Sequence, residues 1–454
     1  MRSPRNAASA RPREDSLVSR LAALPRPAWV ICSGMFVNKL GNFFNVFLIL
    51  YLTNKGYSTF FAGVALGAAG VGSFAGNAVG GTIADRLGRR SVIAISMFGS
   101  ALFMLLVPVC PTVYAMIGLA AVIGFFGQLF RPAGGAILID TVPPEQRVTV
   151  FGLLRLAINL GMSVGPMIGG VLSGVDYTYL FVGDAVTSAL FGLLVVLMLP
   201  ETRPAPAPEP EPTSAEGEQE VSRPRKADGY RAVLADRSMR LYLISIIAVT
   251  YVYTQTTATL PLHVRDVHLS NSFYGFLLGI NALMCVAIEL PLTKFTGRYH
   301  PGRVLALGML MTGLGVSLTG AADSRFALVV TVVFWSLAEM IYMPVATTYP
   351  GLFAQEHLRG RYQASEAIAI TFAQTLAPAI GGLIYSVSQI SHWASCAAVA
   401  VLGAVVALFC RDPRPQGEPD AAQTLAEETE AEFGVDVGVG GEENAEDALL
   451  PAES

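Results

Sequence analysis

Charged residues are scarce in this sequence. Lysine, arginine, aspartate and glutamate together make up 14% of the 454 residues, whereas hydrophobic residues make up 53%. A water-soluble chain of this length exposes far more charge than that. The net charge of -4 mainly describes the end of the chain, because thirteen of the thirty-four acidic residues follow Arg411. The composition excludes a soluble globular protein, so lipid is the expected solvent and no nucleic-acid partner is expected.

Cysteine and histidine are also rare, with five of each. The cysteines stand singly in apolar segments, which excludes a disulfide framework or a zinc knuckle. The histidines show no ligand spacing and lie mostly where loops are expected. No G-x-x-x-x-G-K-[ST] loop is present to hold the phosphates of ATP. We therefore expect no metal, no cofactor, no ATP drive and no enzymatic site. The cysteines are Cys32, Cys110, Cys285, Cys396 and Cys410. The histidines are His263, His268, His300, His357 and His392.

Long apolar runs account for most of the chain. A helix needs about 20 apolar residues to cross a hydrocarbon layer of about 30 Å. The first run is about 25 residues long, which is longer than a signal-peptide core, so it is expected to remain as the first helix. The sequence therefore predicts an all-α membrane protein with twelve transmembrane helices. They start near residues 28, 60, 91, 112, 148, 178, 240, 273, 302, 326, 362 and 391.

The positive charges of the predicted loops are strongly asymmetric. With the N-terminus in the cytoplasm, 24 of the 30 lysines and arginines lie on the inside, and only Lys55, Arg265 and Arg325 lie outside. Cytoplasmic loops of membrane proteins carry an excess of these residues. We expect a multi-pass protein of the plasma (inner) membrane with both termini in the cytoplasm.

Two segments interrupt or follow the apolar runs. Residues 201–228 begin ETRPAPAPEPEPTSAEGEQE, a composition with nothing to bury and no reason to fold. The C-terminal segment is acidic, and a regulatory tail and a merely solvated one remain alternatives. The expected organisation is a basic tail (1–27), a first six-helix bundle (28–199), a flexible cytoplasmic linker (200–239), a second bundle (240–410) and a disordered acidic tail (411–454), as a monomer.

The two predicted bundles repeat each other. GPMIGG at 165–170 matches APAIGG at 377–382 with an offset of 212, and the same offset relates Arg147 to Arg359 and Pro132 to Pro344. Several matches at one offset, each at the same end of the equivalent helix, indicate duplication. Duplicated transporter bundles place their substrate site at the interface between the repeats.

The segment from Gly80 to Arg90 reads GGTIADRLGRR and resembles the loop signature of the major facilitator superfamily, G-x-x-x-D-R-x-G-R-R. Gly81 is expected to let helices approach, Gly88 to allow a tight turn, and the arginines to meet lipid headgroups. The resemblance implies that Asp85 latches the two bundles on the cytoplasmic side, and a static salt bridge is the alternative. The signature residues are Gly81, Asp85, Arg86, Gly88, Arg89 and Arg90.

A second signature lies on the predicted fifth helix. Residues 161–170, GMSVGPMIGG, resemble the antiporter signature of the same superfamily, G-x-x-x-G-P-x-x-G-G. The glycines are expected to permit close helix packing, and the proline to remove a backbone hydrogen bond and bend the helix. Small-residue packing without antiport is the alternative. The residues concerned are Gly161, Gly165, Pro166, Gly169 and Gly170.

Further segments resemble the drug/proton antiporter branch of this superfamily, including FRPA at 130–133 and LRLAIN at 154–159. The resemblance implies alternating access and proton-coupled efflux of small, drug-like molecules. The chain differs from that branch in having no arginine near Ala120 and in carrying Asn38 and Lys39 where an acid is common. Proton symport or facilitated uptake of a nutrient, and a receptor or scaffold that transports nothing, are the alternatives.

Charged residues at membrane depth are costly and usually face a cavity or a partner. Lys39 and Glu339 are the deepest, and either an ion pair between them or separate contacts to substrate fits their positions. Glu339 is the candidate proton carrier, because burial disfavours the charged form of a carboxyl group. A permanent structural ion pair is the alternative.

Other polar residues of the predicted spans are candidates for the substrate or proton pathway. Arg131 and Arg155 are expected to bind an anionic group or to reach Asp140 and headgroups, and Glu289 is expected to pair with Lys294. The uncharged candidates line the pathway or hydrogen-bond between helices, two roles that the sequence does not separate. They are Asn38, Asn42, Gln128, Asn159, Gln255, Asn281 and Gln374.

Overall fold

The computed structural model describes residues 24–201, 230–296, 298–353 and 358–411, and regular structure in these ranges is helical throughout. A short helix, Tyr230–Ala235, precedes α7, and 3-10 turns occupy Pro144–Gln146 and Thr319–Ala321. The long helices, in chain order, are α1 (Arg26–Leu40 and Phe43–Asn54), α2 (Thr59–Leu87), α3 (Arg89–Leu105), α4 (Val113–Leu129 and Arg131–Thr141), α5 (Arg147–Ser173), α6 (Thr178–Met198), α7 (Arg237–Ala258 and Leu260–Asp266), α8 (Asn271–Thr296), α9 (Pro301–Leu318), α10 (Arg325–Phe353), α11 (Arg359–Val387) and α12 (Gln389–Leu408).

The twelve predicted spans correspond to these twelve helices of the described ranges. Eleven of them contain a stretch long and apolar enough to cross a membrane, and the remaining one, α3, is shorter, with 17 residues. The predicted fold class is confirmed. Residues 1–23, 202–229 and 412–454 lie outside the described residues, so the basic tail, the flexible linker and the acidic tail remain predictions.

Three helices are interrupted in mid-span. α1 breaks at Gly41 and Asn42, α4 at Phe130 and α7 at Thr259. In α4 and α7 the second residue of the new segment is a proline, which fits the first turn of a helix because it has no N–H to donate. In α1 the break lies against α6, where a β-carbon on Gly41 would collide with the side chain of Thr187.

Helices α1–α6 form one bundle and α7–α12 the other, and the bundles meet where α5 packs on α8 and α2 packs on α11. A β-carbon on Gly170 of α5 would come within 2.6 Å of Ser272 of α8. Its repeat counterpart, Gly382 of α11, lies equally close to Thr59 of α2, at 2.6 Å. The sequence repeat is therefore also a repeat of helix crossings, with two equivalent interfaces.

We call the end of the molecule that carries the α2–α3 loop and both ends of the described chain the termini face, and the opposite end the far face. At the far face, Thr59 Oγ1 donates to the carbonyl oxygen of Gly382 at 2.7 Å. Asn271 donates to the Tyr177 hydroxyl at 3.0 Å, and Arg265 donates to Thr53 at 3.0 Å. These hydrogen bonds join the two bundles, so the far face is closed in this structure.

Candidate functional site

A cavity of about 90 Å³ lies between the two bundles at mid-depth. Its wall combines amide, hydroxyl and ammonium groups with aromatic and aliphatic surface from both bundles. The lining residues are Lys39, Asn42 and Val46 of α1, Met162 and Pro166 of α5, Tyr253, Thr256 and Thr257 of α7, Leu278, Asn281 and Ala282 of α8, and Trp335 of α10.

Glu339 of α10 lies directly behind this wall. The hydroxyl of Tyr253 donates to Glu339 Oε1 at 3.0 Å, and Asn281 Nδ2 donates to Glu339 Oε2 at 2.9 Å. Asn281 also donates to Ser336 Oγ, one turn earlier on α10, at 3.1 Å. The carboxyl group is thus held by two cavity-lining side chains.

Tyr253 and Trp335 form the aromatic part of the wall. Their rings meet edge to face, with centroids 5.7 Å apart and an interplanar angle of 85°. The favourable contact between an electron-rich ring face and a ring edge fixes both side chains. Neither residue stands out in the sequence, because an aromatic residue within an apolar span is ordinary.

Lys39 and Glu339 do not form an ion pair with each other, although both side chains are among the described residues. The ammonium of Lys39 lies instead within electrostatic range of Asp184 on α6 and of Arg131 on α4. The ion pair between them is therefore not formed, one charged group lies in each bundle, and separate contacts to substrate remain a prediction.

Asp184 is a functional candidate that sequence reasoning missed. It is 4% exposed, and its carboxylate accepts a hydrogen bond of 3.1 Å from the backbone N–H of Phe44. Phe44 lies in the first turn of the second segment of α1, where free N–H groups favour a negative charge. The available signal was an acid within an apolar span, the same signal that singles out Glu339.

Glu366 of α11 is a second buried acid that was missed. It is 7% exposed and accepts a hydrogen bond of 2.5 Å from the Tyr242 hydroxyl of α7. That hydroxyl also lies 2.7 Å from the carbonyl oxygen of Ala346 on α10. The group joins three helices of the second bundle and does not line the cavity.

The uncharged candidates separate into two groups. Asn42 and Asn281 line the cavity, and Asn42 Oδ1 also accepts from Asn45 at 3.1 Å. Asn38 donates to Ser188 Oγ of α6 at 3.2 Å, and the fully buried Gln255 donates to the carbonyl oxygen of Ala377 at 3.1 Å. These last two therefore hydrogen-bond between helices of one bundle. Gln128, Asn159 and Gln374 are not brought to the cavity.

Arg155 and Glu289 form an ion pair that joins α5 to α8, on the termini-face side of the cavity. The sequence places Glu289 beside Lys294, whose side chain lies outside the described part of the chain, but the observed partner comes from the other bundle. Asp140, expected near Arg131 or Arg155, pairs with Arg89. Arg131 is exposed. Helix packing rather than proximity in sequence selects the two ion pairs.

The loop between α2 and α3 has the tight turn that its sequence predicts, with a φ of +92° at Gly88. The expected close approach occurs at Gly80 and not at Gly81. A β-carbon on Gly80 would collide with the backbone of Leu129 on α4, whereas one on Gly81 would meet Pro132 at an ordinary 3.8 Å. Adjacent helical residues point about 100° apart, so the predicted face was wrong by one position.

The charged residues of this loop differ in their contacts. Arg90 donates to the carbonyl oxygen of Val196 at 2.6 Å, and Arg89 pairs with Asp140, so these two arginines bind protein rather than headgroups. Arg86 is exposed. Asp85 is exposed in the last turn of α2 and makes no hydrogen bond or ion pair with any described residue.

The glycines of α5 pack against α1. A β-carbon on Gly161 would come within 2.6 Å of Lys39 Cβ, and one on Gly165 within 2.8 Å of the carbonyl oxygen of Leu40. Gly169 is equally close to Phe47, at 2.6 Å. The predicted packing role is confirmed, and it holds α1 where Lys39 reaches the cavity wall. Pro166, inside α5, lines the cavity itself.

Two of the histidines are buried within helices. His263 of α7 has Nε2 3.1 Å from the carbonyl oxygen of Ala322, and His392 of α12 has Nε2 2.9 Å from Thr259 Oγ1. Each of these rings packs against Trp393. No group of three or more potential metal ligands occurs in the described ranges.

Comparison with known proteins agrees with this architecture. A Na⁺, Li⁺, K⁺/H⁺ antiporter of Planococcus maritimus is 23% identical, covering 73% of this chain and 83% of that protein. The multidrug resistance protein MdtH of Cronobacter sakazakii is 23% identical, covering 79% and 88%. The solved structure of a bacterial homolog of the human lysosomal transporter Spinster, inward-facing and unoccupied, matches with a TM-score of 0.64 at 14% identity, covering 89% of this chain and 98% of that one.

A family model covers nearly all of the helical part of the chain. The model of the Major Facilitator Superfamily matches residues 31–270 and 256–435, which include both bundles and both signature segments. Its members are transporters and not enzymes, and they carry small molecules across membranes. This chain belongs to the Major Facilitator Superfamily.

Proposed function

We propose that this protein is a proton-coupled secondary transporter that exports small, drug-like molecules by alternating access. The observation that carries the proposal is the position of Glu339, an acid at membrane depth whose oxygens are hydrogen-bonded to the cavity-lining Tyr253 and Asn281. Intramembrane acids of transporters commonly relay protons. The relatives named for multidrug resistance and for cation/H⁺ antiport support efflux by antiport.

Alternating access is supported by the uneven contacts between the bundles. The far face is joined by several hydrogen bonds such as Thr59 to Gly382, whereas on the termini-face side Arg155 pairs with Glu289 and Asp85 makes no hydrogen bond or ion pair with a described residue. In our proposal Asp85 binds the second bundle when the termini face closes. The excess of lysine and arginine on this face supports a cytoplasmic location for it.

Proton flux in proteoliposomes tests the function. The full chain is reconstituted with a pH-sensitive dye inside, and ethidium, norfloxacin, glucose or dialanine is added with and without an imposed pH gradient. Antiport predicts proton movement opposite to ethidium or norfloxacin. Proton movement in the same direction as glucose or dialanine would instead support nutrient symport, and no flux with any compound would favour a receptor or scaffold.

The carrier role of Glu339 is tested by Glu339→Gln, which should abolish probe-driven proton flux. Asp323→Asn makes the same acid-to-amide change at an exposed loop position between α9 and α10 and should leave the flux unchanged. Transport by Glu339→Gln with full dependence on the proton gradient would falsify the carrier role.

A further inference from the structure

We propose that the cavity between the bundles binds an organic anion that carries one or two aromatic rings. The inference rests on the proposed transport site but names its ligand, which neither the family nor the relatives specify. Charge, hydrogen-bonding capacity and ring contacts of the wall each support it.

Lys39 is the charged group of the described cavity lining. It makes no hydrogen bond or ion pair with any residue in the described ranges, so its three N–H donors are free for a ligand. An ammonium group at membrane depth is stabilised by an anionic partner. A ligand carboxylate or sulfonate at Lys39 supplies that partner with a charge-assisted hydrogen bond.

Asp184 lies near Lys39 without binding it. Its carboxyl group is within electrostatic range of Lys39. It accepts a hydrogen bond from the backbone N–H of Phe44 and forms no ion pair with Lys39 among the described residues. Arg131 adds a second positive charge within range.

The other polar groups of the wall do not favour a cation. Among the described lining residues they are amides and hydroxyls, from Asn42, Asn281, Tyr253, Thr256 and Thr257, and none is a carboxylate. Glu339 lies behind the wall with each oxygen accepting a hydrogen bond. A cationic ligand would therefore meet a like charge at Lys39 without a free carboxylate to offset it.

The aromatic wall supplies the contact for the body of the ligand. Trp335 and Tyr253 both line the cavity and hold each other edge to face. A flat ring beside them gains the apolar and ring-ring contacts that such surfaces offer.

Isothermal titration calorimetry on the purified full chain tests the proposal with three probes of one shape. These are 2-naphthoate, the neutral 2-naphthamide and the cationic 2-naphthylmethylammonium. We expect naphthoate to bind about tenfold more tightly than the amide, the effect of one hydrogen bond to a charged group, and the cation to bind most weakly. Equal affinities, a preference for the cation, or no binding of any probe would overturn the proposal.

Lys39→Gln should remove the preference for naphthoate over naphthamide while keeping the affinity for naphthamide, which also reports correct folding. Lys55→Gln is the matched control, because Lys55 bonds to the carbonyl oxygen of Pro108 at the far face and does not line the cavity. It should bind like the unaltered chain. If Lys39→Gln binds no naphthamide, Lys39→Arg decides: a retained preference supports the proposal and a lost preference overturns it.

The outcome separates this inference from the proposed function. Glu339→Gln should keep the naphthoate preference although it loses probe-driven proton flux. Tight naphthoate binding without proton flux in the unaltered chain would remove proton coupling and leave the anion site. Proton flux driven by ethidium, together with no preference for naphthoate, would support proton coupling and overturn the anion site.

Discussion

Asp184 of α6 accepts a hydrogen bond of 3.1 Å from the backbone N–H of Phe44, where α1 resumes after its break. The carboxyl group thus caps a helix segment at membrane depth, where a free backbone N–H needs an acceptor. The same break exposes Lys39, on the preceding segment, to the cavity. One buried acid therefore shapes the first helix and sets the charge environment of the candidate site.

Replacing Asp184 separates its two roles. Asp184→Ala leaves the N–H of Phe44 without an acceptor and should cost about 1–3 kcal/mol of unfolding free energy. Asp184→Asn keeps an acceptor oxygen and should cost clearly less. Unfolding in mixed detergent micelles measures both, and equal losses would show that the charge, not the cap, stabilises the fold.

Asp85→Asn should leave membrane insertion and expression unchanged but slow proton flux driven by a transported compound in proteoliposomes about fivefold, which corresponds to about 1 kcal/mol for an exposed ion contact. The reason is that the closed termini face loses its latch. Asp323→Asn serves as control. Normal flux at normal expression would remove the latch proposal.

Replacing a glycine by alanine should change the unfolding free energy in opposite directions at the bundle interface and away from it. Gly170→Ala forces a methyl group against Ser272 and should lower the unfolding free energy by about 1–3 kcal/mol. Gly135→Ala, in α4 with open space around it, should raise it by up to about 1 kcal/mol, because alanine favours helix. Thermal unfolding of the two variants tests this, and a similar effect of both would contradict the packing argument.

Exchanging the charges of Arg155 and Glu289 should restore the ion pair between these two positions. Each single reversal, Arg155→Glu or Glu289→Arg, places like charges together, whereas the double variant restores attraction. Because Arg155 is largely exposed, we expect a coupling of only about 0.2–1 kcal/mol that weakens with salt. A double-mutant cycle in unfolding free energy, at low and high salt, measures it. A coupling of zero at low salt would mean that the pair does not join the bundles.

The orientation of the chain is open to direct labelling. In a background in which the five cysteines are serine, Lys55→Cys should react with a membrane-impermeant maleimide on intact cells, and Arg86→Cys only after permeabilisation. The positive-inside rule gives this expectation. The reverse pattern would invert the proposed orientation and with it the direction of export.

Several features of the site follow from local sequence. Glu339 and Lys39 are conspicuous because a charge within an apolar span stands out without any knowledge of packing. Gly161, Gly165 and Gly169 recur every four residues, so their common face and close packing are also readable in advance. Asp184 and Glu366, which were missed, are also acids within apolar spans, so the same signal that singles out Glu339 identifies them.

The sequence by itself determined the twelve membrane helices, the duplication and the superfamily, because hydropathy, charge and short signatures are properties of contiguous residues. Only the tertiary structure decided which charges meet. Glu339 is bonded by Tyr253 and Asn281, and Glu289 pairs with Arg155, 134 positions away. Such partners lie on different helices and are selected by helix rotation and crossing, where a shift of one residue, as between Gly80 and Gly81, turns a side chain to another face.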